Sequence, residues 1–403
     1  MKSVFNTKTL MSFLNTNRAN YTNPAESLSI HIRDIREIRV QRKKIMSRAE
    51  HEQHDWKNLF GAPLNLQNLM ITHPEIDIAR LKNFMQYVPY DVTPGGLYTP
   101  ATLYAGYTLL HPETFHDTYD QQVYRYFIET GKIANNPYEA LARSLHDHFV
   151  TTALYELLGC YEPYKIVGVM GGSAMSRTDD AYRQIVMIAK QLTEDGSLMV
   201  NGGGPGAMEA CCLGGRLAGR NEAEVADALR RLAAAPSPSD PGYIDCAFEV
   251  ADIYPQNDYE TLSIPTWFYG HEPTTPFATH IAKLFTNSVR EDLLLTISFG
   301  GVIYTPGSAG TMQEIFQEAV QNHYLTYGIA SPMVFVGKKF WTEDMPAFTM
   351  LHQLSASGRY RHLQLALTDD TAEAVSVIKD FQQSDEAHRM KDKFGIRLTM
   401  GLK

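Results

Sequence analysis

Two glycine-rich stretches of this sequence carry the residue types that bind phosphate. Residues 201–206 read NGGGPG, and residues 304–314 read YTPGSAGTMQE and end on a carboxylate, Glu314. Glycines allow backbone N–H groups to approach an anion closely, and a loop that opens a helix adds the unpaired donors and the dipole of the helix N-terminus. The spacing therefore predicts a phosphate cradle, with Glu314 one helical turn beyond Thr311 and beside the group that carries the phosphate.

One more glycine loop, Gly171-Gly172-Ser173, precedes the other two in the chain and follows an apolar run of its own. Two such loops can converge on one phosphate. For each loop the alternative is an ordinary tight turn between strand and helix, which needs glycine for steric reasons alone. The two best-known phosphate motifs are not matched. GVMGGSAMS (168–176) lacks the G-x-G-x-x-G spacing of dinucleotide-binding domains, and no loop ends in the G-K-[ST] of a P-loop.

The elements that must position these loops alternate from about residue 165 onward. The predicted strands are KIVGVM (165–170), SLMVN (197–201), GVIY (301–304), PMVFVG (332–337) and LQLALT (363–368), and the predicted helices lie near 178–194, 222–235, 279–296, 345–356 and 371–381, with another from about 311. Alternating strands and helices pair in parallel through right-handed crossovers, so the expected fold class is α/β, a doubly wound Rossmann-like parallel sheet. Every glycine loop then lies at the carboxyl end of a strand, where such sheets bind ligands.

The chain before this alternation has a different pattern. Residues 1–160 are mostly helical and end in a well-marked helix between Asn136 and Gly159, which predicts an oligomerisation or regulatory region ahead of a Rossmann-like domain at 161–385 and a tail at 386–403. One segment, RDIREIRVQRKKIMSR from Arg33 to Arg48, is strongly basic. As a helix face it is either solvated, a subunit contact, or a binding site for a regulatory anion.

Composition excludes several classes of protein. The 403 residues carry 36 Lys and Arg against 45 Asp and Glu, a net charge of -9, which argues against general nucleic-acid binding. No uninterrupted apolar run reaches bilayer length, so no membrane partner is expected. The 4 cysteines lack a C-x-x-C pair, and His51, His54 and His73 lack metal-ligand spacing, so neither a disulfide framework nor a metal site is predicted. The expected compartment is the reducing cytoplasm.

Read together, GGGPGAMEA (202–210), Arg290 and PGSAGTMQE (306–314) resemble the Lonely Guy (LOG) family, formerly labelled lysine decarboxylases. Its members carry G-G-G-x-x-G-x-M and P-G-G-x-G-T-x-x-E motifs with an upstream Arg-Lys pair, and the resemblance covers about 165–385. The long N-terminal extension is similar to that of the larger PpnN-type nucleosidases. The resemblance implies hydrolysis of the N-glycosidic bond of purine or pyrimidine nucleoside 5'-monophosphates to free base and ribose 5-phosphate, without a metal or cofactor, in a homodimer or homotetramer.

The resemblance also implies a role for particular residues. Arg290 and Glu314 match the essential pair of the family. Apart from the resemblance, Ser173 in the loop at 171–173 is a candidate ligand contact. Two positions depart from the family pattern, because Glu291 stands where the motif has Lys and Ser308 where it has the second glycine. The positions that would hold the phosphate are Gly203, Gly204, Gly206, Gly307, Ser308, Gly310 and Thr311.

Cleavage of a nucleotide's C1'–N bond passes through an oxocarbenium-like sugar, which a carboxylate at Glu314 would stabilise while it orients or deprotonates the attacking water. Arg290 would hold Glu314 ionised or contact the phosphate; the alternative is that Glu314 caps its own helix and Arg290 is only its ion-pair partner. In SIPTWFYGHEP (263–273), the candidate base contacts are Trp267, Tyr269 and His271, with core filling or a subunit contact as the alternative. The alternative function is a non-catalytic nucleotide-binding sensor.

Overall fold

The computed structural model describes residues 77–256 and 258–389. All the described residues belong to one compact unit of the chain. The basic segment 33–48, the three histidines at 51, 54 and 73, and residues 390–403 of the predicted tail lie outside the described residues.

Seven parallel strands form one sheet in the order β4-β3-β2-β1-β5-β6-β7. At its centre, Gly168 of β1 pairs with Val200 of β2 on one side and with Val302 of β5 on the other. The sheet reverses its order at β1, so the predicted doubly wound, Rossmann-like α/β fold is confirmed. The strands are β1 Ile166–Met170, β2 Leu198–Asn201, β3 Thr261–Ser263, β4 His280–Ile281, β5 Val302–Tyr304, β6 Pro332–Val336 and β7 Gln364–Thr368.

Helices connect the strands and cover both faces of the sheet. Because neighbours cover the inner strands, β1 is apolar and buried along its whole length. No helix in the described part of the chain is long and apolar enough to cross a bilayer. The helices of this half are α5 Asp180–Glu194, α6 Ala207–Arg216, α7 Glu222–Leu232, α8 Tyr243–Ile253, α9 Asn287–Thr296, α10 Ala309–Tyr324, α11 Ala347–Ala356 and α12 Thr371–Gln382.

One predicted helix is wrong in nearly the first half of its length. Residues 279–296 read as a single helical pattern, but His280 and Ile281 form β4 beside β3, and α9 begins only at Asn287. The strand is held by long-range backbone bonds: Ala282 N–H donates to Ser263 over 2.8 Å, and Ile281 N–H donates to Tyr98 over 2.8 Å. The period of the apolar residues cannot reveal partners that lie in other parts of the chain.

The helical region before the sheet shares a hydrophobic core with it. Its helices are α1 Ile78–Phe84, α2 Pro100–Leu103, α3 Tyr119–Glu129 and α4 Pro137–Leu158. As expected, α4 starts after Asn136, whose side chain accepts from the Tyr138 N–H, and ends at Gly159. The change of pattern near residue 160 therefore separates two kinds of secondary structure within one compact unit.

Candidate functional site

The glycine loops meet where the sheet reverses its order. The loop after β1 and the loop after β5 lie side by side, and the Gly172 N–H donates to the Pro306 carbonyl over 3.0 Å. The Ala207 N–H, at the start of α6, donates to the Gly172 carbonyl over 3.2 Å and brings in the loop after β2. Three loops that are distant in sequence thus form one crevice at the carboxyl edge of the sheet, the usual ligand position in such folds.

This close approach depends on glycine at two positions. A Cβ on Gly171 would lie 1.9 Å from the Thr305 Oγ1, so a side chain there would push the first and third loops apart. Gly206 has a φ of +66, and a Cβ on it would lie 2.4 Å from the Gly172 carbonyl oxygen. Steric fit therefore explains these two glycines, as the tight-turn alternative requires, independently of any ligand.

The N-terminus of α10 keeps its donors free. No side chain caps this 16-residue helix. Among the described residues, the backbone N–H groups from Gly307 to Thr311 have no hydrogen-bond partner, and residues 308–310 are exposed. Free donors and the positive end of a long helix are the features with which helix N-termini bind anions.

Ser308, the N-cap of α10, has a φ of -115 and a ψ of -143. Because this φ is negative, serine stands here without the left-handed conformation that favours glycine. A Cβ on Gly310 would meet nothing within 4 Å. The departure at position 308 therefore leaves the loop open.

The second loop offers fewer donors than the sequence predicts. The Gly203 N–H donates to the Asn201 Oδ1 over 2.8 Å, and the Gly204 N–H donates to the Met208 sulfur over 3.3 Å. Among the three predicted glycines of this loop, only Gly206 has an N–H without a partner in the described part of the chain. The one N–H of Gly203 is thus committed to Asn201 in this structure, and its role as a phosphate donor stays a prediction.

Arg290 reaches from α9 across the ends of β2 and β3. Its Nε donates to the Ile264 carbonyl over 2.9 Å, and its Nη2 donates to the Gly202 carbonyl over 3.3 Å. A Cβ on Gly202 would lie 2.2 Å from that Nη2, so the guanidinium packs directly on the second loop. Desolvation lowers the pKa of Arg290, while the charge of Glu314 opposes this shift most strongly.

Glu314 lies on α10 within electrostatic reach of Arg290. Burial raises the pKa of Glu314 to about 7, against the attraction of Arg290 and with a smaller contribution from the like charge of Glu291. Glu314 does not cap its helix, and no hydrogen bond or ion pair joins it to Arg290. Neither part of the structural alternative is therefore observed, and the carboxyl group is poised between its two protonation states near neutral pH.

Glu291 stands where the LOG pattern has Lys, and its hydrogen bonds link two helices. Its carboxylate accepts from the Asn287 Nδ2 over 2.7 Å within α9 and from the Gln313 Nε2 over 3.0 Å on α10. It therefore fixes the helix that carries Arg290 to the helix that carries Glu314, and it places a negative charge where the resemblance implies a cation.

The segment 264–275, here called the wall, closes one side of the crevice. Trp267 is fully buried, and its indole N–H donates to the Asp120 Oδ1 over 2.9 Å, so it fills the core and cannot stack on a base. Tyr269 is 43% exposed and lies within electrostatic range of Arg290. His271 is exposed. Tyr269 and His271 are thus the two exposed members of the three predicted base contacts, and their role stays a prediction.

Glu272 is a site residue that the sequence analysis missed. Its Oε1 accepts from the Ser173 Oγ over 2.9 Å, and its Oε2 lies 3.2 Å from the position of a Cβ on Gly204. It thus touches the first and second loops, and it acts electrostatically on Arg290. Glu272 lies in an irregular stretch of sequence, so no spacing pattern could reveal it. It is placed in the crevice because the wall packs on the second loop, where the Thr275 N–H donates to the Gly203 carbonyl over 2.9 Å.

Several kinds of polar group line the crevice. Among the described residues, no group of three or more His, Cys, Asp or Glu side chains is placed to hold a metal ion. The groups that are placed to contact a ligand are backbone N–H donors, one guanidinium and the carboxyls of Glu272 and Glu314.

Comparison with known proteins finds solved structures that match this chain with low sequence identity and low TM-scores. No family model matches the sequence, and no curated protein matches it. The molybdenum cofactor binding protein from the phototrophic bacterium Rippkaea orientalis covers 53% of this chain and 95% of its own, with 14% identity and a TM-score of 0.35. A molybdenum cofactor carrier protein from Chlamydomonas reinhardtii covers 54% and 98%, with 15% identity and a TM-score of 0.32. At these values the likeness carries no argument about the ligand of this chain.

Proposed function

We propose that this protein is a nucleoside 5'-monophosphate nucleosidase that hydrolyses the N-glycosidic bond to free base and ribose 5-phosphate. The observation that carries the proposal is the position of Glu314, beside Arg290 and on the same helix whose uncapped N-terminus presents free donors at the reversal point of the sheet. An anion held at that N-terminus places its attached sugar toward the next helical turn, where Glu314 lies.

In this proposal the phosphate binds the free N–H groups from Gly307 to Thr311. The crevice has Glu314, Glu291 and Glu272 around the single guanidinium of Arg290, so fixed backbone dipoles rather than net positive charge stabilise the phosphate. Arg290 is held by two carbonyls and keeps its Nη1 without a partner among the described residues, as a donor for the ligand.

Ionised Glu314 stabilises the positive charge that develops at C1' and takes a proton from the attacking water. The water oxygen bonds to C1', the C1'–N bond breaks, and its electron pair leaves with the base nitrogen, which takes up a proton. The sum is the addition of one water to the nucleotide. Tyr269, exposed beside Arg290, is the candidate surface for the departing base.

The test is incubation with AMP, GMP, IMP, CMP and UMP while free base and ribose 5-phosphate are measured. We expect at least one nucleotide to be cleaved, and Glu314→Gln to lower kcat by about 100-fold or more, as removal of a transition-state charge does. Glu318→Gln is the matched control, because it makes the same change one turn further along α10 at a buried side chain that bonds to Ser331.

Nucleotide binding without release of base from any of the five nucleotides would contradict the proposal and favour a nucleotide-binding sensor. Full activity in Glu314→Gln would leave the nucleosidase intact and remove the role given to Glu314. The homodimer or homotetramer that the resemblance implies stays a prediction, which size-exclusion chromatography with light scattering would test.

A further inference from the structure

Glu272 is a carboxylate of the crevice with part of its hydrogen-bonding capacity unused. Its Oε1 accepts from the Ser173 hydroxyl, and no other hydrogen bond reaches its side chain from the described residues. Its Oε2 lies 3.2 Å from the position that a Cβ on Gly204, in the second loop, would take. An oxygen that is charged, partly buried and unpaired needs a donor, and an incoming ligand can supply one.

The backbone holds this carboxylate in place. The Glu272 N–H donates to the Tyr269 carbonyl over 3.0 Å, and the Thr275 N–H donates to the Gly203 carbonyl over 2.9 Å. Between them, the Thr274 hydroxyl accepts from the buried Lys283 ammonium over 2.8 Å. A side chain on so firmly anchored a segment loses little further freedom when it binds a ligand.

Charge decides which part of a nucleotide can lie beside Glu272. A phosphate cannot bind against this carboxylate, because the two are like charges, and its free donors lie instead on α10. The group beside Glu272 must therefore be neutral and must donate hydrogen bonds. Between the phosphate and the base of a nucleotide, that group is the sugar, whose vicinal hydroxyls donate well to a carboxylate.

We propose that Glu272 binds the 2'- and 3'-hydroxyls of the sugar and thereby selects ribonucleotides over 2'-deoxyribonucleotides. The inference rests on the proposed function, since it assigns the sugar of that substrate. An acidic side chain that accepts from a ribose 2'-hydroxyl is established chemistry in nucleotide-binding sheets. Ser173 acts as a positioning residue, because its hydroxyl fixes one oxygen of Glu272 and leaves the other for the ligand.

Kinetics with AMP and 2'-deoxy-AMP test the inference. We expect the protein to prefer AMP in kcat/KM by about 100-fold, because a site built for a hydroxyl rejects the analogue that lacks it. In Glu272→Gln the kcat/KM for AMP should fall while the kcat/KM for 2'-deoxy-AMP changes little. The preference for AMP over 2'-deoxy-AMP should therefore shrink to about 10-fold or less. Glu291→Gln is the matched control: it removes a charge that also acts on Arg290, and it should affect both substrates equally.

A second measurement needs no turnover. Isothermal titration with ribose 5-phosphate and 2-deoxyribose 5-phosphate should show tighter binding of the ribose compound, and Glu272→Gln should abolish the difference. If no nucleotide is cleaved but this difference is seen, the proposed function fails and the assignment of Glu272 stands. If nucleotides are cleaved with equal kcat/KM for AMP and 2'-deoxy-AMP, or if Glu272→Gln leaves the preference unchanged, the assignment is overturned and the nucleosidase stands. Failure of both cleavage and sugar-phosphate binding removes both.

Discussion

At the scale of single residues, Glu314 should set the pH dependence of catalysis. Burial raises its pKa to about 7, and the proposed mechanism needs its ionised form. We therefore expect kcat/KM to rise as pH increases through about 7 and then to level off. A separate, lower limb near pH 6 would report the second ionisation of the substrate phosphate.

The variant Arg290→Met separates these two limbs. Arg290 is the charge that holds the pKa of Glu314 down, so its loss should move the upper limb to higher pH and leave the phosphate limb in place. The measurement is the pH profile of kcat/KM for both proteins. A limb that stays where it is would show that a group other than Glu314 titrates there.

Glu318, one turn further along α10, should set part of the pH dependence of stability. Burial raises its pKa from the ordinary 4.5 to about 7, opposed by the hydrogen bond from Ser331. Because the folded state holds the proton more tightly, stability from this site is complete below pH 4.5 and is lost as pH rises through 7. At about 1.4 kcal/mol per pH unit, the loss is on the order of 3 kcal/mol.

Glu318→Gln should remove that loss. We expect its free energy of unfolding to exceed that of the wild type at pH 8 by about 3 kcal/mol and to match it near pH 4.5. Urea denaturation at the two pH values measures this. Glu314, whose pKa is raised in the same direction, should leave a residual slope in the variant. Equal stabilities at pH 8 would mean that Glu318 is not buried as an acid.

At the scale of elements, the start of α9 depends on a residue of the helical region. The Asp147 carboxylate, on α4, accepts from the Phe285 N–H and the Thr286 N–H, each over 2.8 Å. These two donors lie directly before α9, the helix that carries Arg290. We expect Asp147→Asn to cost about 1.5–3 kcal/mol of stability, since it weakens two hydrogen bonds to a charged group.

Asp147→Asn should also lower kcat more than it changes KM, because a displaced α9 moves Arg290 away from Glu314. Asp292→Asn is the control, because Asp292 lies on α9 itself and accepts from Gln317 at the surface. This variant should change neither kcat nor KM. Denaturation and steady-state kinetics on the same preparations test the pair. A variant of Asp147 with reduced stability but normal kcat would show that α9 keeps its place without this contact.

The elements that the sequence predicted correctly are those whose signals are local. Apolar runs that stop at glycines revealed β1, β2 and β5, and the Asn136 cap revealed the start of α4. The error at residues 279–286 arose because β4 is defined by partners at Tyr98 and Ser263. The same holds for the crevice. The loop after β5 was visible in the sequence, but the occupied N–H of Gly203 and the position of Glu272 follow from contacts across the sheet edge.

At the scale of the whole described molecule, a buried ion pair joins the helical region to the sheet. The Lys283 ammonium lies 2.6 Å from the Asp120 carboxylate, and both side chains are almost fully buried. Trp267 completes the group, since its indole N–H also donates to Asp120 and its ring centroid lies 5.6 Å from the Lys283 Nζ. The wall of the crevice is thereby tied to α3, which sequence patterns alone assign to a separate region.

Removal of one partner should therefore be far more harmful than removal of both. Asp120→Leu leaves a buried ammonium and Lys283→Met a buried carboxylate, and each should cost about 3–5 kcal/mol of stability, whereas the double variant should lose markedly less than their sum. Desolvation already lowers the pKa of Lys283 against the pull of Asp120, so Asp120→Leu should be destabilised most at acid pH, where the unpaired lysine must carry its charge. A double-mutant cycle by urea denaturation measures the coupling. Additive losses would show that the two side chains do not stabilise each other, whereas two separate unfolding transitions in the double variant would show that the pair couples the helical region to the sheet.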